Sequence, residues 1–504
     1  MLQYRQYWDD PQAASEVFVV QLLLILAIGT CFCGQQSFES LRSSTAPWVY
    51  AASAWLHSPV GASLITIPAV QTRCLMLLAR QTSSIGLGQI WGSAGSLLNT
   101  AMQLGLHRSP ACLPGTGAFE AELRRRLWAT VAELVVQTSI DAGAAPIFSH
   151  DDFDCEPPSN IDDDQLHEDA AAAPTPKPLA SFTQTTTQIL LLQSLPARLE
   201  IAKHLNHFRS NGSYSTTLQL HAKLSNGLPP QSMTIVPLSR PSSSAGNEHA
   251  FPPLAPSPFQ AKLLTLLTQR FLLALHQHFA LRAHKDPTFH FSRTACLTTS
   301  LVLLSLSKTD TSPTVLAAAV PSSSTCIEDT YALLARRASG TFREGTLRPA
   351  IAICLELVAL VNYHEHHWSF LALGSDHTSS TEQQLRAIEG FVELARERVR
   401  VAGDSFKTHV VFFVILAIVG AVEKGEERMD WLVKAAVKES LDVCLGLLRE
   451  RLHECGGGMS DIAVSPTETT QRDEVTAECD DSEFSFDPTF PDTGDVMQGL
   501  SGAF

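Results

Sequence analysis

Apolar residues recur along this chain at three- and four-residue spacing over long stretches, and convincing strand-like alternation is absent, so the pattern predicts an almost wholly helical (all-α) protein. One helix is expected from Ile67-Pro68, where proline suits a first turn, with Val70, Cys74, Leu77 and Leu78 on one face. The next gathers Ala94, Leu97, Leu98, Ala101 and Leu104 and meets Gly105, a natural C-terminal cap. His107 and Arg108 follow, where cations favour the negative helix end. A third helix stripes Phe119, Leu123, Leu127, Val131, Leu134 and Val135, and its other face spaces Glu120–Arg124 and Glu122–Arg126 as four-residue pairs. Leu127 and Trp128 are expected in the core and Arg124 largely exposed. Pro157 and Pro158 stop regular structure before the aspartates 162–164. Helical periodicity returns over Phe259–His284 and runs to about Leu452.

Breaks in this periodicity set the expected organisation. Residues 170–182 are rich in alanine and proline and read as a loose connector; 183–226 form a helical segment; 227–258 are a Pro/Ser-rich linker; 259–460 are a second helical half. Residues 461–504 hold eleven acids against one base, Arg472, with Phe484, Phe486 and Phe490 among them. Such a segment resists folding alone and is either a solubilising tail or one that docks its aromatics on partners. Two apolar runs, Val17–Phe32 and Val410–Val422, are short for a membrane span and lack signal-peptide flanks, so buried helices and no membrane are expected.

Composition narrows the chemistry. A formal net charge of -15 argues against a general nucleic-acid grip. The 11 cysteines are scattered and include no C-x-x-C pair, which favours buried thiols over a disulfide framework or thiolate zinc cluster. Cys31 and Cys33 sit at the end of an apolar run and read as core residues. Catalytic signatures are missing: no H-E-x-x-H, G-x-S-x-G, phosphate loop or G-x-G-x-x-G occurs, so no catalytic residue is assigned. In His364–His367 only the outer two histidines share a helical face, which favours a polar turn over a metal site. Asp151, Asp152, Asp154, Glu156 and Asp162–Asp164 lack calcium-loop spacing and read as a solvated acidic loop. Arg124–Arg126, flanked by Glu120 and Glu122, read as a solvated helix face.

One block carries a resemblance. GSAGSLLNTAMQLGLHRSP (Gly92–Pro110), ELRRRLWATVAELVVQTSIDAG (Glu122–Gly143) and DDFDCEPPSNIDDDQL (Asp151–Leu166), after the LARQ at Leu78–Gln81, resemble the regulatory (middle homology) domain of fungal zinc-cluster transcription factors. The matching residues are Gly105, His107, Arg108, Glu122, Arg125, Arg126, Trp128, Pro157 and Pro158, whose role is expected to be structural; Asn99 and Ser109 depart from the usual arginine and aspartate. The likeness covers roughly Gln6–Leu304, with residues 1–169 as the first half of that domain. It implies a nuclear transcription regulator of a metabolic or secondary-metabolite gene cluster that needs no cofactor in this chain, since the family holds zinc only in its separate DNA-binding module. That module is expected to be missing here. Promoter DNA would then be reached only through the module or a partner, with homo- or heterodimers expected and the acidic tail contacting the transcription machinery. A non-DNA-binding partner of a complete relative, and a helical small-molecule-binding protein or enzyme, stay open as alternatives.

Overall fold

A computed structural model describes residues 2–168, 174–207, 212–227, 256–308, 329–366, 375–423 and 429–454. Every long regular element among them is helical. The first helices are α1 (Leu2–Asp9), α2 (Glu16–Gly29), α3 (Gln35–His57), α4 (Pro59–Ser63), α5 (Ile67–Ser83) and α6 (Ile90–Gln103). Then come α7 (Ala118–Asp141), α8 (Thr186–Asn206), α9 (Tyr214–Gly227), α10 (Pro258–Arg282) and α11 (His290–Ser305). The last are α12 (Thr330–Arg337), α13 (Thr341–His366), α14 (Ser375–Ala402), α15 (Phe406–Glu423) and α16 (Met429–Glu454). The Pro/Ser-rich stretch at 228–255, the side chains of the His364–His367 group and the acidic tail lie outside the described residues.

Local chemistry sets the helix ends. Thr66 caps α5 by accepting from the Ala69 amide at 3.4 Å, with Pro68 in the first turn. Ser257 and Gln260 form a reciprocal capping box ahead of α10, which Pro258 opens. Gly105 follows α6 at φ +72°; its amide donates to Met102 and the Leu106 amide to Ala101, closing the helix through a left-handed residue.

The chain divides into two compact units, 1–391 and 392–504, with the division falling inside α14. In the first, α7 is the central post. Its Leu127, Trp128, Val131 and Val135 are buried against Val70 of α5, Leu97 of α6, Leu195 of α8 and Phe271 of α10. A smaller core joins Leu24 of α2, Val49 of α3 and Met76 of α5. Thus the Val17–Phe32 run forms most of the 14-residue α2 and feeds this core, and no helix among the described residues is long and apolar enough to cross a membrane.

Buried polar groups tie distant parts of this unit together. Arg198 forks onto Glu133 at 2.8 and 2.7 Å while lying over the Phe271 ring. Arg270 donates to Gln137 at 3.1 Å and pairs with Asp141, which also accepts from Thr341. Arg337 of α12 donates to the carbonyls of Cys31 and Cys33 at 3.1 and 2.5 Å and to Gln35, clamping the bend between α2 and α3. In the second unit, Val399, Cys444 and Leu447 form a core, and His409 bonds Ser440 at 2.7 Å.

The expected loose connector behaves differently in its described part. Asn160 donates to the carbonyls of Lys177, Pro178 and Ser181 at 2.9 to 3.1 Å, and Lys177 returns its own amide to Asn160. Composition signals weak helix propensity there, and says nothing of an external side chain that satisfies the backbone instead.

Candidate functional site

The three segments of the matching block close on one another at the N-terminal half of α7. The turn after α6 supplies the His107 carbonyl, which accepts from the amides of Asp154 and Cys155 at 3.0 and 3.1 Å. Arg108 pairs with Asp154 at 3.2 Å, and the same carboxylate takes the Ser109 amide at 2.7 Å. The Ser109 hydroxyl donates to Glu156 at 2.6 Å, so the residue that replaces the usual aspartate still holds the loop. The Ser109 amide, then Arg108, keep the Asp154 carboxyl below its ordinary range; the Ser109 hydroxyl, then Arg125, do so for Glu156.

From α7, three consecutive arginines take separate roles. Arg124 pairs with Glu120 at 3.0 Å and donates to the Leu104 carbonyl at 3.2 Å. Arg125 reaches Glu122 and Glu156 at 3.8 and 3.5 Å. Arg126 bonds Glu122 at 3.1 Å and Asp163 at 2.5 Å. Glu122 itself is buried and accepts the Ser159 amide on both oxygens, at 3.1 and 3.2 Å. Beneath them Trp128 is 1% exposed, packed among His107, Phe148 and Phe153. Pro158 is buried and Pro157 exposed, and Asn160, two residues on, accepts the hydroxyls of Thr183 and Thr186 at 2.6 and 2.9 Å.

This geometry corrects four expectations. Arg124 is not largely exposed: its side chain is 14% exposed because α6 ends directly above it. The cation that reaches the carbonyl end of α6 is therefore Arg124 from α7, whereas Arg108 turns to Asp154. Arg125 and Arg126 are likewise 23% and 17% exposed, not a solvated face. Nor is the acidic stretch merely solvated, since Asp154, Glu156, Asp162 and Asp163 each hold a cationic partner. All were read from sequence as helix or loop in isolation, and the segments become partners only across tertiary space. Asn160, Thr183 and Thr185 belong to the site as well, with Asn160 lying in the PPSN stretch. The signal for Asn160 is a carboxamide two residues after a rigid Pro-Pro, suited to bonding backbone.

Chemically the arrangement is a clasp. Its cations and carboxylates pair with one another. Among the described residues no three His, Cys, Asp or Glu side chains are grouped as metal ligands would be. Most of the described thiols bond within the fold or lie buried. Cys31 and Cys33 donate to the carbonyls of Thr82 and Gly29, and burial pushes Cys74, Cys155 and Cys296 up to about 12.

Residues 2–226 match the family described as "Fungal specific transcription factor domain". Transcription factor asR3 of Sarocladium schorii is 34% identical over 466 residues, covering 89% of this chain and 53% of the relative. Transcription factor lepE of Aspergillus flavus is 34% identical over 460 residues, covering 89% and 52%. The aspyridones cluster regulator apdR of Emericella nidulans is 30% identical over 457 residues, covering 88% and 57%. The chain thus spans about half the length of the curated relatives it matches. No solved structure gives a significant match. With the clasp built from the residues that carry the resemblance, residues 2–226 are identified as a fungal specific transcription factor domain.

Proposed function

We propose that the protein is a nuclear transcription regulator of a biosynthetic gene cluster, in which this helical region is the regulatory part and not the DNA reader. The similarity to three regulators over 88 to 89% of the chain carries the reading. The clasp supports the second half of it. Each of Arg124, Arg125 and Arg126 already holds a carboxylate of this chain, so the most basic triplet has no free charge to offer phosphates. A net charge of -15 opposes a compensating field elsewhere.

Deleting the gene and measuring transcripts of neighbouring biosynthetic genes tests the regulatory role; unchanged transcripts under producing conditions would refute it. Location follows from a fluorescent fusion, with exclusion from the nucleus as the adverse result. Purified chain should shift no promoter fragment specifically at physiological salt and carry no stoichiometric zinc by metal analysis. Sequence-specific binding at nanomolar concentration would show that the helices read DNA themselves. The protein is proposed to catalyse no reaction, and steady turnover of a small molecule would contradict that.

A further inference from the structure

The LARQ segment contains a feature the clasp leaves unexplained. Arg80 is 3% exposed, and its guanidinium meets hydroxyls only: Nη1 donates to Ser93 at 2.6 Å and Nη2 to Ser53 at 3.2 Å. Its Nε is buried with no hydrogen-bond partner among the described residues. Arg73 lies seven residues earlier on the same face of α5, about 10 Å along the axis. It repeats the pattern, with Nη1 on Ser96 at 3.2 Å and a buried Nε without a partner. Neither guanidinium forms an ion pair among the described residues, whereas Arg198, Arg270 and Arg126 in the same unit each face a carboxylate. Burial pushes both guanidinium pKa values down.

An isolated buried cation is costly and is normally paired. The carbonyl end of α5, where Arg80 lies, offsets part of this cost, yet no guanidinium nitrogen of Arg80 bonds a carbonyl there. The surroundings are cut away on one side. Gly86 crosses the guanidinium at φ +67° with no side chain, and a Cβ there would come to 3.6 Å from Nε. On α6, Gly92 is exposed beside Ser93, and nothing lies within 4 Å of where its Cβ would be.

From this geometry we propose that the edge between α5 and α6 binds an oxyanion group, a carboxylate or phosphoryl of a small effector, through Arg80 with Ser53 and Ser93, and with Arg73 and Ser96 as an outer step. Paired charge and hydroxyl donors suit such a group, and its binding compensates the cation that the fold leaves alone. The proposal rests on side-chain geometry and stands independently of the transcriptional reading.

Thermal unfolding of the purified full chain tests it, in sodium chloride, sodium phosphate and sodium malonate at matched ionic strength and pH. Phosphate or malonate should raise the Tm saturably above chloride, and which of the two does so separates phosphoryl from carboxylate recognition. Arg80→Gln should weaken that response at least tenfold while leaving the chloride Tm unchanged or raised, because an uncompensated charge has gone. Should Arg80→Gln fail to fold, the paired Ser53→Ala and Ser93→Ala substitutions should weaken the response several-fold. Equal Tm values in all three salts overturn the proposal, as does an undiminished oxyanion response in the variants.

Discussion

Three residues show how unequal the individual contributions are. Glu122 takes both a backbone amide and Arg126 in a buried position, so Glu122→Ala strands two donors and should cost about 3 kcal/mol in urea unfolding. Asn160→Ala removes a partner from three carbonyls and two hydroxyls, and should cost at least as much. His276 is fully buried, bonded to His221 and Ser292 at 2.8 Å each. Burial, then the neighbouring His221, holds its pKa down at about 4. Between that value and an unfolded value near 6.5 the unfolded chain binds the extra proton, so stability falls as pH falls through this window. From pH 7 to pH 5 the His276 share of the loss should be about 2 kcal/mol, and the loss should shrink by about that much in His276→Asn, as read from urea midpoints at the two pH values. The Glu122–Arg126 pair was legible from its four-residue spacing, whereas the Ser159 amide on Glu122 and the roles of Asn160 and His276 were not, because each is defined by what lies across the fold. Leu127 and Trp128, by contrast, were readable as core from spacing alone, and both are buried.

Helices were the legible level of this molecule. Ile67-Pro68 does open α5, Gly105 does terminate α6, and the apolar stripe of α7 does face the core, since propensity, capping and periodicity are local codes. Gly105→Ala should therefore cost about 1 kcal/mol through its left-handed backbone alone, as nothing lies near the site of the added methyl. A loss well above that in a thermal scan would point to a contact at this turn that the structure lacks. Loops are less legible than helices. The acidic segment 151–164 looks like solvent-facing chain by composition, yet it is pinned from α7 and from the turn after α6. Charge runs identify what can pair, and only the helix positions around them decide whether pairing happens.

At the scale of the whole chain, residues 2–226 match the family while the buried bonds of that region extend well past it. Gln137 and Asp141 lean on Arg270 and Thr341, and the α2–α3 bend depends on Arg337. A fragment ending at residue 227 should accordingly lose cooperative unfolding and bind a hydrophobic dye, whereas one ending at residue 391 should unfold cooperatively and leave the dye unbound; equal cooperativity in the two would contradict the assignment. The Arg337 clamp also bears on synthesis. Two carbonyls near residue 31 wait for a guanidinium encoded some 300 positions later. At roughly 5–20 residues per second, a ribosome needs on the order of 15 to 60 seconds to deliver it. Throughout that interval the apolar α2 has no locked exit toward α3, which makes the emerging N-terminal third a natural client for chaperones. A translational pause placed before Arg337 should therefore reduce soluble yield more than the same pause placed after it.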